Sequence, residues 1–429
     1  MKFRDSTDIQ CGSYSIENSY WKNFMIQIQL RQWARHYPIQ AFIALAYLLS
    51  WGIWLPTSSA TVVSPPTQTP QITTATVATT VTSTHPYPAS VTATVALSDI
   101  VSQADTYLSK LTKARLFSGS ALIARNGKVL VNRGYGEADH EKHLLNMART
   151  KFRIASLTKQ FTAMAILILQ SQGKLNVHDR ICTYLSECPN PWQNITLHHL
   201  LTHTSGIPDF GSFPDYLTTQ GLPSSPTQTI ARFKDKPLDF QPGKKFSYSN
   251  SGYVVLGAII ERASGATYEA FLRDNIFVPL QMVNSGYDHN NGDLAVGYRD
   301  QTSAPADFVD MSIPYAAGGL YSTVEDLYRW DQALYTDKPI PKNLRDMMFT
   351  PFALTSDRSG LRYGYGYGWG IGEEDNHLLV SHEGGINGFH SVIARYPNDK
   401  TVIIILGNRQ DMNLFEIRTQ IAKIVFGKK

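Results

Sequence analysis

Residues 37 to 97 contain no Asp, Glu, Lys or Arg, although such residues make up 17% of the chain. A run of that length cannot serve as ordinary globular surface, so the folded head has to lie beyond it. From Ser98 to Lys429 there are 332 residues, enough for one large core or a core with an inserted lobe. Fibrous, collagen-like and fully disordered classes are excluded. The formal net charge of +4 is spread along the chain without a dominating Lys/Arg block, so no nucleic-acid partner is expected.

The uncharged run has two parts. Ile39 to Leu55 is apolar and aromatic, 17 residues long, at the short end of what spans a bilayer. Tyr37, Trp51 and Trp54 flank it as interfacial anchors, and Lys22, Arg31 and Arg35 precede it. No positive charge follows for over 40 residues, so the positive-inside rule sends the C-terminal side out of the cytoplasm. The expected organisation is a cytosolic tail at 1–36, a transmembrane anchor or signal h-region at 37–55, a Thr/Ser/Pro-rich spacer at 56–97 and a head at 98–429. A cleaved signal is the rival to a retained anchor, since translation from Met25 gives a short basic start and Ser58-Ser59-Ala60 offers a cleavage site. A buried core helix is a third, less favoured reading. Cys11 falls in the cytosolic tail, whereas Cys182 and Cys188 lie in the exported head and are expected to pair there; two reduced core thiols are the alternative.

Within the head, helical spacing over 99–114 precedes two strands, Gly119 to Ala124 and Lys128 to Gly134, joined at Asn126-Gly127. A helix is expected over Leu157 to Gln172, stopped by Gly173, and another over Gly252 to Ala263. Strands are expected over Tyr363 to Ile371, His377 to Ser381, Phe389 to Tyr396 and Thr401 to Leu406, with a closing helix over Leu414 to Val425. Strands at both ends with helices between imply one antiparallel sheet built from both chain termini around a mainly helical lobe.

The chemistry starts at Ser156-Leu157-Thr158-Lys159. In the first turn of a helix, side chains at i and i+3 share a face, so a lysine can reach the serine hydroxyl and activate it without histidine. Alone the motif is weak, and the same spelling recurs at Ser19/Lys22 and Ser171/Lys174. Two further elements follow in order. Tyr248-Ser249-Asn250 comes after the turn signal Gln241-Pro242-Gly243, so its tyrosine and amide can point into one cleft. A phenol beside a lysine has its anionic form favoured, which makes Tyr248 a candidate base. His382-Glu383-Gly384-Gly385 closes a strand, where glycine lets a substrate approach an exposed edge. An ordinary loop tyrosine and a tight turn are the bland readings of these two motifs taken singly.

Together these motifs resemble the serine β-lactamases and penicillin-interacting DD-peptidases. The Y-S-N form points to the class C β-lactamase and esterase branch. The resemblance runs from about Ile100 to Phe426 and includes Leu200 to Ile207 (LLTHTSGI), Ala317 to Thr323 (AGGLYST) and the Tyr/Gly strand Tyr363 to Trp369. Ser156 and Tyr248 are 92 positions apart, and Tyr248 and His382 are 134 apart. The resemblance implies an α/β (α+β) fold of the β-lactamase/transpeptidase type, an antiparallel sheet flanked by helices with an inserted lobe.

It also implies Ser156 as nucleophile, with Lys159 and Tyr248 sharing the proton work and the choice of base left open. Backbone N–H groups of Ser156 and Gly385 would form the oxyanion hole, and Asn250 would hold the acyl side. His382 stands where true β-lactamases of this branch carry lysine, which resembles the esterase, D-aminopeptidase and some DD-carboxypeptidase members. Glu383 stands where carboxylate-binding members carry Thr or Ser, which implies repulsion of a substrate carboxylate if its side chain faces the cleft; strand alternation turning it to solvent or onto a basic partner is the alternative.

His199 and His203 have the spacing of two metal ligands but lack the Glu of H-E-x-x-H, so no metal or other cofactor is expected. Aromatics alternating over Tyr363 to Trp369 suggest either a stacking platform or, more plainly, packing on a helix with glycines allowing close approach. The expected function is therefore an exported serine acyl hydrolase, acting on a small-molecule or peptide ester or amide and tethered to the membrane by its N-terminal segment. A D-alanyl-D-alanine carboxypeptidase or penicillin-binding protein is the alternative among enzymes, and a non-turnover sensor the alternative of another class.

Overall fold

The computed structural model describes residues 96–290, 292–302, 304–356 and 362–427. The expected tail with Cys11, the apolar segment 37–55 and the spacer up to residue 95 lie outside them. Among the described residues no helix is long and apolar enough to cross a membrane.

The head opens with helix α1 (Leu97–Lys113) and the hairpin of strands β1 (Gly119–Arg125) and β2 (Lys128–Tyr135). Asn126 and Gly127 both have positive φ, +53° and +73°, the backbone that a tight two-residue hairpin turn requires. The remaining strands come late: β3 (Ala353–Ser356), β4 (Arg362–Tyr365), β5 (Gly370–Glu374), β6 (His377–Ile386), β7 (Phe389–Tyr396) and β8 (Thr401–Gly407). They form one eight-stranded sheet in the order β2-β1-β8-β7-β6-β5-β4-β3. Every pairing in it is antiparallel, and β1 meets β8 with Leu122 opposite Ile404. Both ends of the chain thus build the sheet.

Strand β8 (TVIIILG) is buried throughout because it is covered on both faces. Val402, Ile404 and Leu406 join a core with helix α2 (Thr158–Ser171), and Ile403 and Ile405 join a second core with α1 and the closing helix α3 (Leu414–Phe426). Helix α2 is buried all round from Thr158 to Leu169, not along one stripe as its spacing suggested, because the inserted lobe covers its far side.

Three expectations are corrected. Tyr363 to Ile371 is not one strand. It breaks into β4 and β5 around a turn at Gly366 to Trp369, closed by Gly366 N–H donating to Trp369 O at 2.8 Å. Tyr365, Tyr367 and Trp369 are buried in that turn, so the alternating aromatics do not form an exposed platform. The His382 to Gly385 motif lies inside β6, which runs on to Ile386. The helix after Tyr248 begins at Asn250, two residues earlier than Gly252, and ends at Ser264 where Gly265 takes φ +75°.

Candidate active site

Ser156 sits in a single 3₁₀ turn, Ala155–Leu157, that leads into α2. Ala155 has φ +46°, a conformation in which a Cβ is strained and which is held only when the surroundings over-determine it. The short strand Phe152–Arg153 supplies that hold, together with Ile154 N–H, which donates to Leu320 O at 3.0 Å. Ser156 remains partly open to solvent while Lys159, one turn on, is fully buried.

Lys159 Nζ lies 3.0 Å from Ser156 Oγ, 2.8 Å from Asn250 Oδ1 and 2.8 Å from Ala317 O. Burial pushes its pKa down to about 7, against an opposing pull from the Asp209 carboxylate. A neutral amine has two N–H groups and one lone pair. The carbonyl oxygens of Asn250 and Ala317 can only accept, so in the neutral amine they take the two N–H groups and the lone pair faces the Ser156 hydroxyl, while in the ammonium form all three oxygens accept.

Tyr248 brings its ring under the same nitrogen, 4.8 Å from ring centroid to Nζ. Although 37% of the residue is solvent-accessible, desolvation raises the phenol's pKa; a hydrogen bond with Ser156 lowers it, and Asp209 raises it further. The phenol's pKa is thus shifted up, opposite to the expectation that the lysine would favour a phenolate, while the lysine's is shifted down, so of the two groups Lys159 gives up its proton more readily. Asn250 opens its helix and is clamped by Asp209, whose Oδ1 accepts Asn250 N–H at 2.8 Å. The Asn250 side-chain Nδ2 faces Asp209 Oδ2 at 3.5 Å, which turns the amide oxygen onto Lys159.

Strand β6 approaches the serine through Gly384. A Cβ there would stand 2.4 Å from Ile154 O and 3.0 Å from Ser156 N, so only glycine permits this contact. His382 and Gly384 alternate onto the buried side of β6, and Glu383 and Gly385 onto the exposed side. The His382 ring is buried, and desolvation takes its pKa down to about 3.

Among the described residues no group of three or more His, Cys, Asp or Glu side chains could hold a metal ion. The helix carrying His199 ends at Leu201 and His203 turns off it with φ +56°, so the two do not share a helical face. His199 Nδ1 accepts the N–H of Thr196, and His203 lies in the wall behind Tyr248. Cys182 and Cys188 are joined as a disulfide with Cα atoms 5.2 Å apart.

The beta-lactamase family model matches residues 100–426. The chain belongs to the beta-lactamase family of serine hydrolases. It is 34% identical over 300 residues to the putative penicillin-binding protein PbpX of Bacillus subtilis, covering 69% of this chain and 71% of that one. To penicillin-binding protein 4* of the same organism it is 29% identical over 344 residues, 75% of each chain. The octameric penicillin-binding protein homologue from Pyrococcus abyssi superposes with a TM-score of 0.69 at 30% identity, over 77% of this chain and 78% of that one. A D-stereospecific amidohydrolase from Streptomyces, 22% identical with a TM-score of 0.63, shares the fold over 76% of this chain and 99% of that one.

Several residues of this beta-lactamase-family site carried no assigned role in the sequence. Asp209 follows Ile207-Pro208 as an isolated acid with no local signal. His203, Ala317 and Tyr365 each fall inside stretches that carry the family resemblance, yet nothing local shows that they meet. Residues 41 to 162 positions apart in the chain are brought together only by the fold.

Proposed function

We propose that this chain is an exported serine acyl hydrolase working through an acyl-enzyme on Ser156, and that it cleaves a carboxylic ester or a peptide-like amide. The observation that carries this reading is the buried Lys159 amine, with Ser156 Oγ, Asn250 Oδ1 and Ala317 O all within 3.0 Å of its Nζ. Ser156 Oγ–H passes its proton to Lys159 as Oγ bonds to the acyl carbon. Charge develops on the acyl oxygen, for which the N–H groups of Ser156 and Gly385 are the candidate donors. As the tetrahedral intermediate collapses, the C–O or C–N bond breaks and the proton moves from Lys159, through the protonated Tyr248, to the leaving group. A water then attacks the acyl ester, giving its proton to the same base, and Ser156 is regenerated.

The charge of the cleft favours neutral substrates. His382 is neutral where a lysine would attract a carboxylate, and Glu383, on the face of β6 opposite His382 and Gly384, would add repulsion only for a substrate carboxylate that reaches that exposed face. Two like charges about 4 Å apart repel by about 1 kcal/mol in water and about 4 kcal/mol at an effective dielectric near 20. Export and tethering are supported by the apolar segment 37–55 and the positive charges before it. The D-alanyl-D-alanine carboxypeptidase reading is kept as second because relatives at 34% and 29% identity are named penicillin-binding proteins.

The deciding experiment is intact-mass analysis of the full chain with a serine-directed acylating probe, a penicillin and short acyl esters in parallel. Rapid formation and loss of an acyl-ester adduct on Ser156 is the expected result. One equivalent retained without release makes the chain a sensor, and adducts with penicillin alone favour the carboxypeptidase reading.

A further inference from the structure

Behind Tyr248 lies a run of buried polar rings that the reaction does not use directly. Ser249 N–H donates to His203 Nδ1 at 3.1 Å, His203 Nε2 lies 3.2 Å from Tyr365 Oη, Tyr365 Oη lies 2.9 Å from His382 Nε2, and His382 Nδ1 lies 2.7 Å from Glu383 O. The two ends of this run are backbone groups of fixed character. An amide N–H can only donate and a carbonyl can only accept. If both rings are neutral, both tautomers are then determined. His203 carries its proton on Nε2 and gives it to Tyr365, Tyr365 gives its own to His382 Nε2, and His382 carries its proton on Nδ1 and gives it to Glu383 O. Tyr253, whose hydroxyl donates to Leu201 O at 2.9 Å, offers Tyr365 a second acceptor, but the tautomers of the two histidines follow from the backbone ends alone.

We infer that His203, Tyr365 and His382 form a one-directional chain of positioning residues, which ties the Tyr248 loop to strand β6 and locks His382 in its neutral Nδ1–H form. The inference rests on the acyl-hydrolase reading above. His203 stacks on Tyr248 with ring centroids 4.2 Å apart, while Tyr365 and His382 approach the same ring at 6.4 and 6.3 Å. The chain is therefore the wall that sets where the phenol stands over Lys159. With its Nε2 lone pair occupied by Tyr365, His382 offers the cleft neither a free base nor a cation. The charged and titratable groups facing it are Lys159 from α2, Tyr248 and His203 from the lobe, and Tyr365 from β4. Burial and the nearby Lys159 oppose protonation of either histidine.

The test removes one oxygen. Tyr365→Phe keeps the ring and takes away both the proton given to His382 and the acceptor used by His203. The acylation rate of Ser156 is expected to fall about tenfold to a hundredfold, the scale of leaving buried polar partners unmet. The acid limb of its pH profile is expected to keep its position, because burial and Lys159, which keep His382 neutral, are unchanged in the variant. Nitrogen NMR of the parent should show His382 as the neutral Nδ1–H tautomer and His203 as the neutral Nε2–H tautomer, and the His382 Nε2 signal should shift in Tyr365→Phe as its hydrogen bond is lost. The opposite tautomer in the parent, or a variant with parental rate, overturns the chain while leaving Ser156 acylation intact. Failure of Ser156 to acylate in the parent would instead overturn the hydrolase reading and leave the tautomers as found.

Discussion

Gly368 lies against the backbone of Lys159: with φ +78°, a Cβ on it would stand 2.8 Å from the lysine's own carbonyl oxygen and 3.0 Å from Gln160 Cα. The turn between β4 and β5 is thus seated on the first turn of α2, and the depth of that seat fixes the height of the lysine under the serine. Gly368→Ala is expected to cost on the order of 2 kcal/mol, from the left-handed backbone and the clash together. Denaturant unfolding measures the loss. A larger fractional drop in Ser156 acylation than in folded protein would show that the lysine has moved.

Ser156→Ala should abolish acylation, whereas Ser171→Ala should leave it unchanged. The Ser171 hydroxyl donates to Ile168 O at 2.7 Å at the end of α2, with no lysine beside it. Losses on the order of 10² to 10⁴ are expected for Lys159→Ala and Tyr248→Phe taken singly, as for proton-transfer groups. Their combined loss should be smaller than the product of the two, because they serve one proton path. Intact-mass time courses on the parent, the four single variants and the Lys159→Ala/Tyr248→Phe double variant check all of this.

The acylation rate should fall as pH drops through about 7, where Lys159 takes up a proton and loses the lone pair that faces Ser156. The same shift has a sign for stability. The lysine's pKa falls from an ordinary 10.5 to about 7 in the fold, so between those values the unfolded chain holds more protons and stability rises with pH. The Tm of the parent minus that of Lys159→Met is therefore expected to grow from pH 7 to pH 10. A flat difference would mean that the buried amine is charged throughout.

Glu383→Thr is expected to raise kcat/KM for a substrate bearing a free carboxylate relative to its methyl ester, by tenfold or more if the anion sits within about 4 Å of the side chain. Matched ester pairs measured in parent and variant give the ratio. A parent that already prefers the free carboxylate would move the carboxypeptidase reading to first place.

Opening the Cys182–Cys188 link should cost about 2 kcal/mol, since the closed loop is short and constrains little of the unfolded chain. Both cysteines are expected to resist alkylation in protein prepared without reductant. Comparing the unfolding midpoint of the parent with that of the double Cys→Ala variant tests the size.

Much of this molecule is legible in its linear order. Asn126-Gly127 specifies a hairpin because both positions need positive φ, and the β7 and β8 runs specify strands because their apolar residues are continuous or alternate at period two. Ser156 and Lys159 are linked locally, three residues apart on one helix, so their pairing needs no knowledge of the rest of the chain. The family resemblance added Tyr248, Asn250 and the His382 to Gly385 strand by motif and order. The break between β4 and β5 was hidden, because alternation of tyrosine and glycine reads as one strand until Gly368 must fit against Lys159. The state of the base was hidden too. Whether Lys159 or Tyr248 loses its proton depends on how far each is removed from water and on what accepts its hydrogens, and those partners, Ala317, Asp209 and the His203–Tyr365–His382 chain, come from distant parts of the sequence. Local sequence fixes which groups can do chemistry; desolvation and hydrogen-bond direction, which exist only once the chain has folded, decide in which protonation state they do it.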